Sequence, residues 1–265
     1  MNLKKTLLAQ KLGIARSTLY YHSKKQKQDG ESKLLIEEVM IGNPCYGHKR
    51  IALELKWNKK KVLRLMKKFG LKPKLRRGQK WQKKGDRGLV PTTYRNLISN
   101  WCPVAPDIVW YADFTYLPVR DAFLYLATVI DGYTREILGL AIARRHNRQL
   151  VKEATLDAIT RRGRLPHYFH SDQGSEYQAA EHLSLLENMG VTVSMSEKSS
   201  PWQNGHQESF YSHFKLELGS LNGLSDGEIV EAIYRQIYYY NHLRIHTTLK
   251  MPPRQFYLKC QDTSV

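Results

Sequence analysis

The chain has 265 residues, enough for one catalytic core of ordinary size with a smaller module beside it. Its formal net charge is +18, and the excess is confined: residues 1–90 hold 25 Lys/Arg against 6 Asp/Glu, whereas residues 91–265 hold 17 against 18. Three scattered cysteines, Cys45, Cys102 and Cys260, argue against a disulfide framework or a Cys-x-x-Cys zinc site and fit a reducing compartment; no apolar run approaches the ~20 residues of a membrane span.

A basic module ahead of a near-neutral core suits an arm that holds a polyanion and a core that does chemistry, although a solubilising tail has the same composition. Met1-Asn2-Leu3-Lys4-Lys5 leads into a polar helix rather than a signal peptide. Residues 3–22 read as two short helices around Gly13, a helix-turn-helix pattern that places Arg16, Ser17 and Thr18 near the start of the recognition helix, where base edges are reached. Any tight helical pair with a glycine turn looks similar. Residues 24–30 read as a polar linker and 31–41 as a helix broken by Pro44-Cys45-Tyr46-Gly47. A helix over 48–56 carries Lys49 and Arg50. The next begins at Asn58, an N-cap, and ends at Gly70. Val62, Leu65, Met66 and Phe69 form its apolar side. Lys60, Lys61, Arg64, Lys67 and Lys68 form the other, either a solvated face or a phosphate contact. Residues 1–70 are thus expected to be a basic helical DNA-binding region. Residues 71–103 are expected to be a basic linker carrying Lys72, Lys74, Arg76, Arg77, Lys80, Lys83, Lys84 and Arg87, which orders on DNA.

The pattern changes near residue 107, so 104–265 is read as the catalytic core. Strands are expected at 108–117, 122–130 and 136–143, joined by turns at Asp121 and Asp131-Gly132. A helix at 148–161, a strand at 167–171, a helix at 177–189, a strand at 191–195, a loop from Ser196 to Gly205, and helices at 206–219 and 226–241 follow. Three early strands and then alternating helix and strand give an α/β fold, a mixed sheet with helices on its faces. This order resembles the ribonuclease-H-like fold of retroviral-integrase-type enzymes.

Three acids stand out in this frame. Asp113 lies in an apolar strand, where a carboxylate is costly unless paired, hydrogen-bonded or metal-bound; a satisfied structural Asp is the plain alternative. Asp172 ends a strand, where open sheets place ligand groups, or it caps the next helix. Glu208 is one turn into a helix and about 200° from the buried stripe of Phe210, Phe214 and Leu218. Lys215 is nearly in phase with it, as a metal-and-phosphate pairing or as an ordinary surface pair. His242 and His246, four apart, have no further zinc ligands in nearby sequence.

Taken together, these residues identify a family. The phrases Tyr46-Gly47-His48-Lys49-Arg50-Ile51, Val62-Leu63-Arg64-Leu65-Met66, Trp110-Tyr111-Ala112-Asp113-Phe114-Thr115-Tyr116, His170-Ser171-Asp172-Gln173-Gly174-Ser175-Glu176-Tyr177, Glu208-Ser209-Phe210 and Tyr240-Asn241-His242-Leu243-Arg244-Ile245-His246 resemble insertion-sequence transposases with a retroviral-integrase-type core. More narrowly, they resemble the second reading-frame product of the IS-three family. The resemblance implies that Asp113, Asp172 and Glu208 are the catalytic, metal-binding triad, holding two Mg²⁺ ions for which Mn²⁺ substitutes. Lys215 matches the basic residue that often follows the family's Glu by seven. The implied activity is strand cleavage and strand transfer at the ends of a mobile element, with terminal inverted repeats and target DNA as partners. A homo-oligomer on DNA, an upstream reading-frame product as a further partner, no membrane, and a cytoplasmic, nucleoid-associated bacterial location go with it. A regulator or partner subunit without independent activity is the alternative. Departures are Ser200 to Gln207, where many relatives have Asp before the Asn and Ala after it, and the lack of the N-terminal His/Cys zinc module of retroviral integrases.

Overall fold

The computed structural model describes residues 5–20, 24–74, 94–99, 101–120, 122–197 and 201–262. Arg76, Arg77, Lys80, Lys83, Lys84 and Arg87 of the expected linker, the turn residue Asp121 and Ser200 lie outside them. The chain divides into two compact units, Met1–Lys74 and Leu75–Val265.

The first unit is helical. It contains helices α1 (Lys5–Lys11), α2 (Lys24–Gly42), α3 (His48–Glu54) and α4 (Lys59–Lys68). Two expectations need correction. The second helix of the helix-turn-helix reading is a five-residue 3-10 turn, Arg16–Tyr20. The supposed linker 24–30 is the first two turns of α2: Asp29 is buried there and gives that polar stretch a tertiary partner. Asn58 does cap α4, its side chain accepting from Lys60 N at 2.8 Å, and Gly70 takes the left-handed conformation (φ +67°) past the helix end. Ile36, Ile51, Val62 and Leu65 are buried in this unit.

The second unit is built on five strands, β1 (Val109–Val119), β2 (Ala122–Asp131), β3 (Ile137–Ala143), β4 (Tyr168–Ser171) and β5 (Thr192–Met195), in the order β3-β2-β1-β4-β5. The first three are antiparallel; β4 and β5 run parallel to β1. Helices α5 (Arg148–Arg162) and α6 (Ala180–Asn188) follow β3 and β4, and α7 (Gly205–Leu218), α8 (Asp226–His242) and α9 (Pro253–Asp262) complete the unit. This is the mixed, helix-flanked sheet of the ribonuclease-H-like class.

Strand alternation sends side chains to both faces of the sheet. Trp110, Ala112, Ala127, Val129 and Phe169 pack with Leu150, Ala154, Ala158 and Leu186 of α5 and α6. Leu117, Leu126, Ile130 and Leu140 pack with Phe210, Phe214, Ile233 and Ile237 of α7 and α8. Helix ends follow local chemistry: Asn147 caps α5 and Gly163 closes it at φ +66°, while Ser225 and Glu228 form a reciprocal capping box on α8.

Helix α9 was not anticipated from the sequence, because its apolar content is low and its anchors are charges. Arg162 of α5, its side chain 2% exposed, bonds Asp107 at 2.7 Å and Glu136 at 2.9 Å, and its guanidinium lies 3.4 Å from the Tyr257 ring centre. Arg254 reaches the same Glu136 at 3.1 Å. His242 ends α8 and His246 lies beyond it in an isolated bridge with Met251, so the two do not share a helix.

Candidate active site

Register brings the first two acids together. In the parallel pair β1–β4, Tyr111 faces His170. Asp113 continues β1 two residues past this pair, and Asp172 lies two residues past it just beyond the end of β4; the charge of Asp172 acts on Asp113. β4 ends at Ser171, freeing Asp172 at the strand's carboxyl end. There Gly174 N donates to Asp172 Oδ1 at 3.0 Å. A Cβ on Gly174 would stand 3.0 Å from that same oxygen, so a side chain would crowd the turn. Gln173 donates to Ser196 O at 3.1 Å, tying the loop after β4 to the end of β5.

Glu208 arrives from the other direction. It is exposed in the first turn of α7, beside the buried Gln207, and its charge and that of Lys215 both act on Asp113. Lys215 Nζ also lies 4.5 Å from the centre of the Tyr116 ring. The structure therefore gathers Asp113, Asp172, Glu208 and Lys215 in one region, drawn from two strands and one helix.

The electrostatics are those of crowded like charges. The Asp113 carboxyl is pushed well above its ordinary range, first by burial and then by the Asp172 charge; Glu208 adds to this, and the Phe114 N–H (2.8 Å) and Lys215 oppose it. Asp172 is also raised by burial, against the Gly174 N–H. Two histidines border Tyr111 on the same strand pair and helix. His170 is buried, its Nδ1 3.0 Å from Ser194 Oγ, and burial lowers its pKa to about 4. His206, also lowered to about 4 by burial, and His170 both meet the Tyr111 ring edge-on, at 4.9 and 5.4 Å.

Among the described residues, no three His, Cys, Asp or Glu side chains stand close enough to hold a metal ion as placed. The donor set nonetheless suits hard cations. Asp113 and Asp172 each accept one backbone N–H, leaving most of their lone pairs for other partners. A cavity of about 670 Å³ between β3, α5 and α8 lies elsewhere, lined by Leu140, Ile142, Asp157 and Tyr234.

The other residues singled out from sequence lie in the first unit. Arg16, Ser17, Thr18, Lys49, Lys60 and Lys61 are exposed there. Lys61 Nζ stands 3.7 Å from the Trp57 ring centre, and Arg50 is half-buried over Tyr46. Arg64 departs from the open cationic face expected: it bonds both oxygens of Asp29, at 2.9 and 2.7 Å, and Lys68 joins at 2.8 Å. The acid missing from the helix itself comes from α2, 35 residues earlier.

Sequence reasoning also missed Thr128, Asn204, Gln207 and Tyr211, which join α7 to the sheet. Their signal is the spacing 204, 207, 211, a polar helical stripe beside the apolar one.

The sheet order and flanking helices are those of an integrase-type core, and the family models and sequence relatives give the class, a polynucleotidyl transferase. Two models described as "Integrase core domain" match residues 103–201 and 189–253. The transposase for insertion sequence element IS904 of Lactococcus lactis is 33% identical over 242 residues, covering 86% of this chain and 94% of the relative. Transposase InsF for insertion sequence IS3A of Escherichia coli is 31% identical over 178 residues, covering 65% of this chain and 62% of that protein. The solved HTLV-2 integrase catalytic core domain in complex with magnesium aligns with 58% of this chain and 98% of its own at 15% identity, with a TM-score of 0.46. The chain belongs to the insertion-sequence transposases with an integrase-type core.

Proposed function

We propose that this protein binds the ends of a mobile DNA element and catalyses their cleavage and transfer, with Asp113, Asp172 and Glu208 holding two divalent cations, Mg²⁺ or in its place Mn²⁺. The observation that supports this reading is the meeting of Asp113 on β1 with Asp172 just past the end of the paired strand β4, where the charges of Asp172 and Glu208 both act on Asp113. Two such cations, when bound, supply activation of the attacking oxygen and stabilisation of the leaving one.

The residues themselves have distinct tasks. The carboxylates of Asp113, Asp172 and Glu208 would hold the cations between the end of β4, β1 and α7. Lys215, one face of α7 along from Glu208, neutralises a DNA phosphate beside them. His170 and His206, kept neutral by burial, pack on Tyr111 and add no charge of their own. In the first step water attacks a phosphodiester and frees a 3′-OH; in the second that 3′-OH attacks a target phosphodiester. The first step is a hydrolysis that leaves a 5′-phosphate on the flanking strand; in the second, one phosphodiester forms as another breaks and releases a 3′-OH of the target, so joining needs no nucleoside triphosphate and no protein nucleophile.

Residues 1–70 are assigned to DNA holding, with 71–103 linking them to the core. Lys49, Arg50, Lys60 and Lys61 supply salt-dependent affinity, and Arg16, Ser17 and Thr18 supply end preference. Arg64 contributes less than its neighbours because Asp29 already engages it. Two ends must be held at once, so a homo-oligomer on DNA is expected, with an upstream reading-frame product as a further partner.

The test is a Mg²⁺/Mn²⁺ assay on labelled DNA bordering the gene, wild type beside Glu208→Gln. Metal-dependent cleavage with joined products, lost in the variant while DNA binding is kept, is the expected result. Full activity in Asp113→Asn, Asp172→Asn and Glu208→Gln alike would refute the assignment. Tight binding without any metal-dependent product would make the chain a partner subunit or regulator.

A further inference from the structure

Beside the apolar stripe of Phe210 and Phe214, the start of α7 meets the sheet through polar groups. Asn204 Nδ2 donates to Ala112 O at 3.1 Å, Gln207 Nε2 to Tyr111 O at 2.6 Å and Thr128 O at 3.0 Å, and Tyr211 Oη to Asp113 O at 2.5 Å. Three successive residues of β1 thus accept from three positions of one helix face. Thr128 joins the set from β2: its Oγ1 lies 3.0 Å from Gln207 Oε1 and 2.8 Å from Tyr211 Oη. Gln207 and Thr128 are fully buried (0% exposed). Both amide hydrogens and the amide oxygen of Gln207 have partners, so the group is satisfied rather than stranded.

Two placements give this arrangement meaning. Thr128 is the cross-strand partner of Asp113. Gln207 and Tyr211 flank Glu208 on either side. The residue paired with one candidate carboxylate therefore grips the residues around another. An apolar stripe would hold α7 against the sheet yet permit sliding by a fraction of a residue, because dispersion contacts are non-directional. Hydrogen bonds to successive carbonyls fix the helix both along and around its axis. Burying so many polar groups gives up part of the stability that apolar side chains would provide, a cost that accompanies a demand for fixed geometry.

We propose that Gln207, together with Thr128 and Tyr211, is a positioning device for Glu208: it sets the third carboxylate relative to Asp113 and so sets the affinity of the site for divalent cations. The inference rests on the metal-binding reading above. Gln207 touches no reacting atom; it acts through Glu208, as groups supporting metal ligands commonly do, with effects of about 10–100-fold on metal affinity.

The experiment measures Mg²⁺ dependence twice, by the rise in unfolding temperature with Mg²⁺ and by Mg²⁺-dependent cleavage, in wild type, Gln207→Leu and Phe214→Leu. Phe214 is buried on the same helix in the apolar cluster with Phe210, Ile233 and Ile237, and its side chain makes none of these hydrogen bonds, so its variant loosens packing and leaves the polar partners in place. Gln207→Leu is expected to raise the half-saturating Mg²⁺ concentration about 10–100-fold in both readouts with DNA binding kept, while Phe214→Leu lowers the unfolding temperature and leaves that concentration in place. If Gln207→Leu does not fold, Tyr211→Phe, which removes one oxygen, takes its place with a smaller shift in the same direction. An unchanged Mg²⁺ half-point in the polar variants, or an equal shift in Phe214→Leu, would overturn the proposal. A wild type that shows no Mg²⁺ effect in either readout would instead bring down the metal reading, and this inference with it.

Discussion

Asp113→Asn should make the metal-free protein more stable while abolishing its chemistry. The substitution keeps shape and keeps an oxygen to accept the Phe114 N–H, now at 2.8 Å. It removes the charge that burial, Asp172 and Glu208 all oppose. Two carboxylates ~5 Å apart at an effective dielectric of ~20 repel by about 3 kcal/mol. Lys215 and partial solvent access offset part of this, leaving a net gain of about 1–2 kcal/mol, in the range of relieved functional-site strain. For a domain of this size that is a rise of about 3–6 °C in unfolding temperature. The folded Asp113 pKa lies above its unfolded value, so the wild-type penalty is present at neutral pH and disappears as the pH falls through the folded pKa towards ~4. The stability difference between the two proteins should shrink along that path. Thermal unfolding in metal-free buffer at pH 7 and pH 4, with cleavage assayed alongside, measures both halves. A variant no more stable at pH 7, or one whose advantage persists undiminished at pH 4, would refute the electrostatic argument.

Three further outcomes follow from packing and burial. His170 and His182 have folded pKa values of about 4 because both are buried; the unfolded chain takes up their protons first as pH falls below ~6.5, so stability should drop between there and pH 4, by roughly 3 kcal/mol for each histidine. His182 packs edge-on to Phe169 and Tyr177 with both ring nitrogens lacking a hydrogen-bond partner among the described residues, and His182→Phe should remove its share of that slope in urea unfolding at stepped pH. Gly139→Ala should destabilise by more than about 3 kcal/mol, because its Cβ would meet the Ala158 backbone at Cα (2.6 Å) and at N, and Ala154 O, none of which can rotate away; an unchanged denaturation midpoint would show that α5 yields freely. Arg162→Met should cost about 3–5 kcal/mol by leaving Asp107 without its strongest partner and Glu136 with Arg254 alone, and limited proteolysis should then release α9 before the core is cut.

How much of this was legible in the sequence depended on the range of the interaction involved. The strands and the main core helices were readable because alternation and helical spacing are local properties, and the turn chemistry of Asn58 and Gly70 sits within a few residues of what it caps. The candidate carboxylates were readable as residue types within a strand, at a strand end and on a helix face. Long-range partners were not. The polar stretch 24–30 looked like a linker until Asp29 was seen to take Arg64 and Lys68 from a helix 35 and 39 residues on. Helix α9 had too few apolar residues to stand out, since cation–π contacts and buried ion pairs hold it.

The sequence by itself determined the chemistry on offer: a basic first third, acids where hard cations and phosphate would meet, and a strand order for a mixed sheet. Only the tertiary structure decided the geometry. Pairing Tyr111 with His170 puts Asp113 beside Asp172, and Thr128 bridges to the residues on either side of Glu208. Register and helix docking are set by hydrogen bonds between residues some 60 to 100 positions apart, and no local propensity encodes them.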